Sequence, residues 1–283
     1  MLFSNLKKKC FYRCFQNHYF CFRLGINLNL KKQNILDHGI CHLSIVPLRK
    51  ENNHRSEMVS QLLYGDCFKI LKKRKEWLHV LSLSDSYTGW IDRKQGQEIP
   101  TDEAQHIAEN PKYAYNLIHY INSTNHEMLP IVLGSNVAGT SLLNQDYDGD
   151  ITEGEKAKEN LVHTASLYLN APYLWGGKTP FGIDCSGFSQ MIYRLNGVAL
   201  PRDAFQQATV GKTLSFIEES EPGDLAFFDD DEGQIIHVGV LLKNNFIMHA
   251  HGNVRIDRID QTGIFNIQKN IHSHRLRLIK KII

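Results

Sequence analysis

Cys185 is the residue of this chain best placed for covalent chemistry. It stands in the heptapeptide Gly182-Ile183-Asp184-Cys185-Ser186-Gly187-Phe188, between a polar turn and an apolar run. Downstream, Phe188, Met191, Ile192 and Leu195 recur at the spacing of one helix face. Asp184 is a good N-cap type, and Asn196-Gly197 supplies a stop. The helix is therefore expected to begin at Cys185, where unpaired N–H groups and the helix dipole favour an anion. A thiol in that place is expected to ionise below its free value of about 8.5 and to serve as a nucleophile.

Such a nucleophile needs a base within hydrogen-bond reach, and the base needs an orienting partner. His237 lies in the apolar run Ile235 to Val240, and His249 in Phe246 to Ala250, with Lys243-Asn244-Asn245 between them. The two runs are expected to pair as a hairpin. A three-residue loop would set His237 opposite His251 with His249 diagonal, whereas a loop centred on Lys243 would set it opposite His249. Spacing leaves both open. A cysteine at a helix start is more often a packing residue, and fourteen histidines make chance pairing easy. The combination of thiol, helix start and two histidines across one hairpin is stronger than its parts.

The elements that must hold these residues fall into segments. Residues 34–98 alternate strands and turns. Trp77 to Leu83 has Trp77, His79, Leu81 and Leu83 on one face and Leu78, Val80 and Ser82 on the other. This segment is expected to form a small all-β barrel. Residues 99–153 read as a connector, helical in part between Ala104 and Ile121 and broken at Asn110-Pro111, followed by a degenerate second barrel. Residues 154–283 read as α+β: a helix from Ala157 to Leu169, the Cys185 helix, and then strands. Those strands are placed at Leu225 to Phe228, Ile235 to Leu242, Phe246 to Ala250, Val254 to Ile259 and His274 to Ile279. Helices followed by an antiparallel sheet are the layout of a papain-like hydrolase.

Composition excludes several classes. A formal net charge of +2 with no basic stripe makes nucleic acid a poor partner. No run of eighteen apolar residues occurs, so no membrane span is expected. Cys10, Cys14, Cys21, Cys41, Cys67 and Cys185 have no disulfide-framework spacing and are read as reduced. Cys10, Cys14, His18 and Cys21 fit no standard zinc finger. Residues 1–33 are expected to be a disordered leader or sequence translated from a misplaced start. With no readable export signal, the cytoplasm is the expected compartment. Asp146-Tyr147-Asp148-Gly149-Asp150 lacks the glycine and the distal glutamate of a calcium loop. No metal or cofactor is implied. Oligomeric state is not legible.

Several motifs in order resemble the NlpC family of bacterial cell-wall cysteine endopeptidases. They are PYLWGGKTPFGIDCSGFSQMIYRLNGVALPRDAFQQ, PGDLAFF, HVGVLL and FIMHAHGNVRI. The front segment, SEMVSQLLYGD … EWLHV … YTGWID, resembles a bacterial SH3-like domain. Together they are similar to the γ-D-glutamyl-L-diamino acid endopeptidases that trim murein peptides. The resemblance implies Cys185 as nucleophile, His237 as general base and His249 as orienter, with His251 a rival. It implies Tyr173 near the oxyanion, Asp184 and Ser186 as substrate contacts, and Glu57 with Tyr87 binding the free amine of L-Ala. A buried carboxylate opposite that ammonium would reject blocked substrates. The runner-up readings are an amidase or acyltransferase of the same papain-like group, and a cell-wall binding module with an inactive catalytic half.

Overall fold

The computed structural model describes residues 37–123 and 127–283. The expected leader, with its Cys10, Cys14, His18 and Cys21, lies outside the described residues.

Seven short strands open the described chain: β1 (His38–Ile40), β2 (Ile45–Arg49), β3 (Met58–Leu63), β4 (Cys67–Lys73), β5 (Trp77–Ser82), β6 (Thr88–Asp92) and β7 (Gln97–Ile99). They form one antiparallel sheet in the order β3-β2-β6-β5-β4-β1-β7. β5 shows how the sequence sets the faces. Leu78, Val80 and Ser82 alternate inward, while Trp77, His79 and Leu81 stay half exposed. The inward set meets Val46, Leu48, Phe68 and Ile91 in a core of its own.

A linking region follows: α1 (Thr101–Glu109), β8 (Tyr113–Ala114), β9 (Ile118–Ser123), β10 (Met128–Val132), β11 (Gln145–Asp146) and β12 (Ile151–Thr152). The helix expected between Ala104 and Ile121 ends before Pro111, and the rest of that window holds β8 and the start of β9. Pro111 explains the stop, because the residue before a proline is driven away from helical angles. Two small sheets, β10-β9-β11 and β12-β8, stand beside a cluster of Ala114, Ile121, Ile131 and Val137. Tyr64, from the turn after β3, is buried in that cluster.

The remainder holds α2 (Glu159–Ser166), β13 (Lys178–Thr179), β14 (Gly182–Ile183), α3 (Cys185–Leu195) and α4 (Ala204–Gln207). Then come β15 (Lys212–Leu214), β16 (Leu225–Asp229), β17 (Ile235–Leu242), β18 (Phe246–His251), β19 (Asn253–Ile259), β20 (Gly263–Asn266) and β21 (Ile271–Lys281). The sheet order is β15-β21-β16-β17-β18-β19-β20, and β20 also pairs with β21. β16 to β21 therefore close into a barrel, which removes the exposed edges of an open sheet. The sequence reading missed β20, the four-residue strand that makes the closure.

Every residue of α3 is buried. Phe188, Met191 and Ile192 pack with Val238, Val240 and Met248 of the barrel wall. Full burial of side chains of this size is worth about 1.5–3 kcal/mol each, so the helix is firmly fixed. The other barrel face carries Ala226, Phe228, Leu241, Ile247 and Ile259. The SH3-like unit is tied to this half by polar contacts. Arg194 pairs with Asp66, and the Lys178 backbone N–H donates to Gln61 at 2.8 Å.

Candidate active site

Asp184 is the N-cap of α3, as its residue type predicts. Its Oδ1 accepts from the Gly187 N–H at 2.7 Å, and its Oδ2 from the Gly176 N–H at 2.8 Å. Gly176 has φ +76°, and a Cβ there would lie 2.3 Å from the Met58 carbonyl oxygen. Glycine is thus required where the catalytic half touches the SH3-like unit. Arg202 completes the cradle. Its Nη1 and Nη2 meet Asp184 Oδ1 and Oδ2 at 3.0 and 2.6 Å, its Nη1 donates to Ser186 Oγ at 2.9 Å, and its Nε donates to Ser60 Oγ at 3.1 Å. The expectation that Asp184 and Ser186 touch substrate meets a structural alternative. Both are buried, and their polar atoms already face Arg202 and the helix start. Arg202 is 1% exposed and held inside.

Cys185 Sγ faces the backbone N–H groups of Val238 and Ser186. The first contact sets the sulfur beside the main chain that follows His237. Among the described residues, Sγ makes no hydrogen bond to an imidazole. Burial, then the Asp184 carboxylate, push the thiol up to about 12. The expected easily ionised thiol is therefore corrected for the free protein. At 7% exposure, desolvation of the thiolate outweighs the favourable helix terminus.

The β17–β18 loop decides the histidine register. Lys243 to Asn245 form a three-residue connection in which Asn244 and Asn245 take φ 61° and 58°, angles asparagine tolerates better than most residues. Leu242 faces Phe246 and Gly239 faces His249. Carried two residues on, this register sets His237 across from His251 and diagonal to His249. The hydrogen bond nevertheless runs along the diagonal: His237 Nε2 lies 2.8 Å from His249 Nδ1. The His251 ring stays 6.5 Å from that of His237, centroid to centroid. His237 Nδ1 is left as the nitrogen available to the thiol. Burial first, then the neighbouring His249, His274 and His251, hold His237 well below the usual imidazole range. Both shifts favour the uncharged form of the group.

Three neighbours escaped the sequence reading. Asp257 Oδ2 lies 3.1 Å from His249 Nε2, and Arg255 Nε is 2.7 Å from the same oxygen. His274, from β21, stacks on His237 with centroids 4.3 Å apart. Strand alternation in Asn253 to Ile259 does put Arg255 and Asp257 on one face, but it does not say which neighbour they meet.

Cys185 opens on a cleft of about 830 Å³. Tyr173, Asp184 and Ser186 line it beside Glu57 and Tyr87 of the SH3-like unit, so all five expected substrate residues border one space. His237 and His249 stand behind it, buried. Glu57 is exposed rather than buried. It accepts from Trp175 Nε1 at 2.8 Å and pairs with Lys50 at 3.4 Å. Tyr87 donates to Asp203 Oδ1 at 3.3 Å. Burial, then the nearby Cys185 and Asp184, push the Tyr173 phenol up to about 12, so it stays a proton donor beside the sulfur.

Residues 170–274 match the NlpC/P60 family, and residues 48–95 match the bacterial dipeptidyl-peptidase SH3 domain. The chain carries an NlpC/P60 cysteine-peptidase domain. It is 29% identical over 212 residues to the γ-D-glutamyl-L-lysine dipeptidyl-peptidase of Bacillus subtilis (strain 168), covering 68% of this chain and 71% of that one. It is 27% identical to dipeptidyl-peptidase 6 of Lysinibacillus sphaericus, covering 76% of this chain and 89% of the relative. The crystal structure of an NlpC/P60 family protein from Bacillus cereus superposes with a TM-score of 0.71 at 19% identity, over 87% of this chain and 99% of that one, a likeness of fold. The papain-like NlpC/P60 half and the N-terminal SH3 domain are those the motifs announced.

Proposed function

We propose that this protein hydrolyses the γ-D-glutamyl–diamino acid bond of murein peptides that begin with a free L-Ala, in recycling or remodelling of cell-wall peptides. The observation that carries the reading is the position of Glu57, Tyr87 and Asp203 on the wall of the cleft that holds Cys185. Two carboxyl groups and a phenol lining the same cleft as the thiol fit an ammonium. The name of the Bacillus subtilis relative, a γ-D-glutamyl-L-lysine dipeptidyl-peptidase, supports the same bond class.

In this reading, Cys185 Sγ attacks the γ-glutamyl carbonyl carbon while its proton passes to His237 Nδ1. Tyr173 and the Cys185 backbone N–H face the developing oxyanion. The C–N bond then breaks as His237 returns the proton to the leaving amine of the diamino acid. Water, deprotonated by His237, hydrolyses the thioester and frees L-Ala-D-Glu. Burial favours the uncharged thiol and the uncharged imidazole, so activation is placed in the substrate complex.

The test is incubation of the full chain with L-Ala-γ-D-Glu-diaminopimelate and with its N-acetylated form, products being read by mass. Release of L-Ala-D-Glu from the free-amine peptide alone, lost in Cys185→Ala, is expected. Cleavage at another bond, or equal cleavage of both peptides, overturns the assignment.

A further inference from the structure

Behind the candidate base, the polar groups continue inward. Asp257 is 1% exposed on its side chain, with Oδ2 at 3.1 Å from His249 Nε2 and Oδ1 at 3.0 Å from Arg255 Nη2. Burial opposes its ionisation, but the hydrogen bonds from His249 and Arg255 prevail and hold the carboxyl below its usual range. A carboxylate only accepts hydrogen bonds.

That fact fixes two protons in turn. His249 Nε2 must carry hydrogen to donate to Asp257. A neutral His249 then presents a lone pair at Nδ1, which is 2.8 Å from His237 Nε2. His237 Nε2 must therefore donate, and a neutral His237 keeps its lone pair at Nδ1. With the opposite tautomer of His249, Nδ1–H would point at His237 Nε2, the His237 proton would move to Nδ1, and the thiol would face a nitrogen unable to accept.

We propose that Asp257 is a positioning residue that sets the tautomers of both His249 and His237, so that the latter offers a bare Nδ1 to Cys185. This rests on the assignment of Cys185 and His237 as nucleophile and base. Arg255 anchors the carboxylate from its own strand. His251 on β18 and His274 on β21 also face the two rings, with centroids 6.2 Å from His249 and 4.3 Å from His237 respectively. No carboxylate other than Asp257 hydrogen-bonds to either imidazole among the described residues.

The test uses the full chain labelled with ¹⁵N-histidine, read by long-range ¹H–¹⁵N correlation near pH 7.5. The expected spectrum shows His237 and His249 both protonated at Nε2 and bare at Nδ1. Asp257→Asn should shift His249 towards its Nδ1–H form and lower kcat about tenfold to a hundredfold, the scale for an outer orienting partner, with KM little changed. A wild-type His237 protonated at Nδ1 overturns the proposal. So does an Asp257→Asn variant that loses kcat while both tautomers stay as they were, since that loss would be structural. The wild-type spectrum needs neither substrate nor a folded variant. The tautomers as expected in a protein that cleaves no γ-D-glutamyl peptide would overturn only the substrate assignment.

Discussion

Glu57 Oε1 accepts a 2.8 Å hydrogen bond from the Trp175 indole N–H, joining the SH3-like unit to the turn that leads into the nucleophile helix. The bond orients a carboxylate on the cleft wall, although Glu57 is 39% exposed on its side chain and Lys50 shares it. Solvent weakens the attraction such a carboxylate can offer an ammonium. Glu57→Gln is therefore expected to lower kcat/KM for the free-amine peptide by about tenfold, within the range for one hydrogen bond to a charged group. The N-acetylated peptide should stay uncleaved, as with the unsubstituted protein. Steady-state kinetics on the free-amine peptide decide it, and an unchanged kcat/KM would remove Glu57 from amine recognition.

Cys185 should be a slow nucleophile in the free protein. Its thiol is pushed up to about 12, so little thiolate exists near neutrality. Alkylation by iodoacetamide is expected to be slow at pH 6 and to keep rising through pH 9, followed by mass spectrometry of the Cys185 peptide. A rate already level at pH 6 would show a resting thiolate and contradict the buried neutral pair.

The Arg202–Asp184 pair should be a strong single point of failure. Arg202→Met leaves the Asp184 carboxylate buried without its partner, a loss of about 3–5 kcal/mol. The double variant with Asp184→Asn should recover part of that loss, because the orphaned charge is gone. Urea unfolding of the three variants measures it. Additive losses would mean that the pair is not coupled.

Acid should unfold this protein before it touches the carboxylates. His237, His249 and His274 all bind protons less readily in the fold than the free imidazole value of 6.5, burial being the first cause each time, and His274 is brought down to about 4. Below about 6.5 the unfolded chain therefore holds more protons than the folded one, and stability falls as pH drops. Asp257, held low by His249 and Arg255, extends the loss further into acid. The urea midpoint should decline from pH 7.5 to 5. A midpoint that climbs over that range refutes the account.

Much of the site was written in local sequence. The helix at Cys185 follows from apolar spacing, the Asp184 cap and the Asn196-Gly197 stop, all within fifteen residues. The paired strands around His237 and His249 follow from two apolar runs and a short polar link. These features are legible because they depend on neighbours along the chain. Tertiary structure alone decided the rest. Two asparagines at positive φ fixed the register that alternation left open. The thiol's acidity reversed, because how much water reaches Cys185 depends on the barrel packed against its helix. Asp257 joined the histidines only when β19 paired with β18 and turned that face inward. Glu57, 128 positions before Cys185 in the sequence, shares a cleft with it because the SH3-like sheet packs against the catalytic half there. Periodicity reports which way a side chain points on its own element, and only packing determines what waits on the other side.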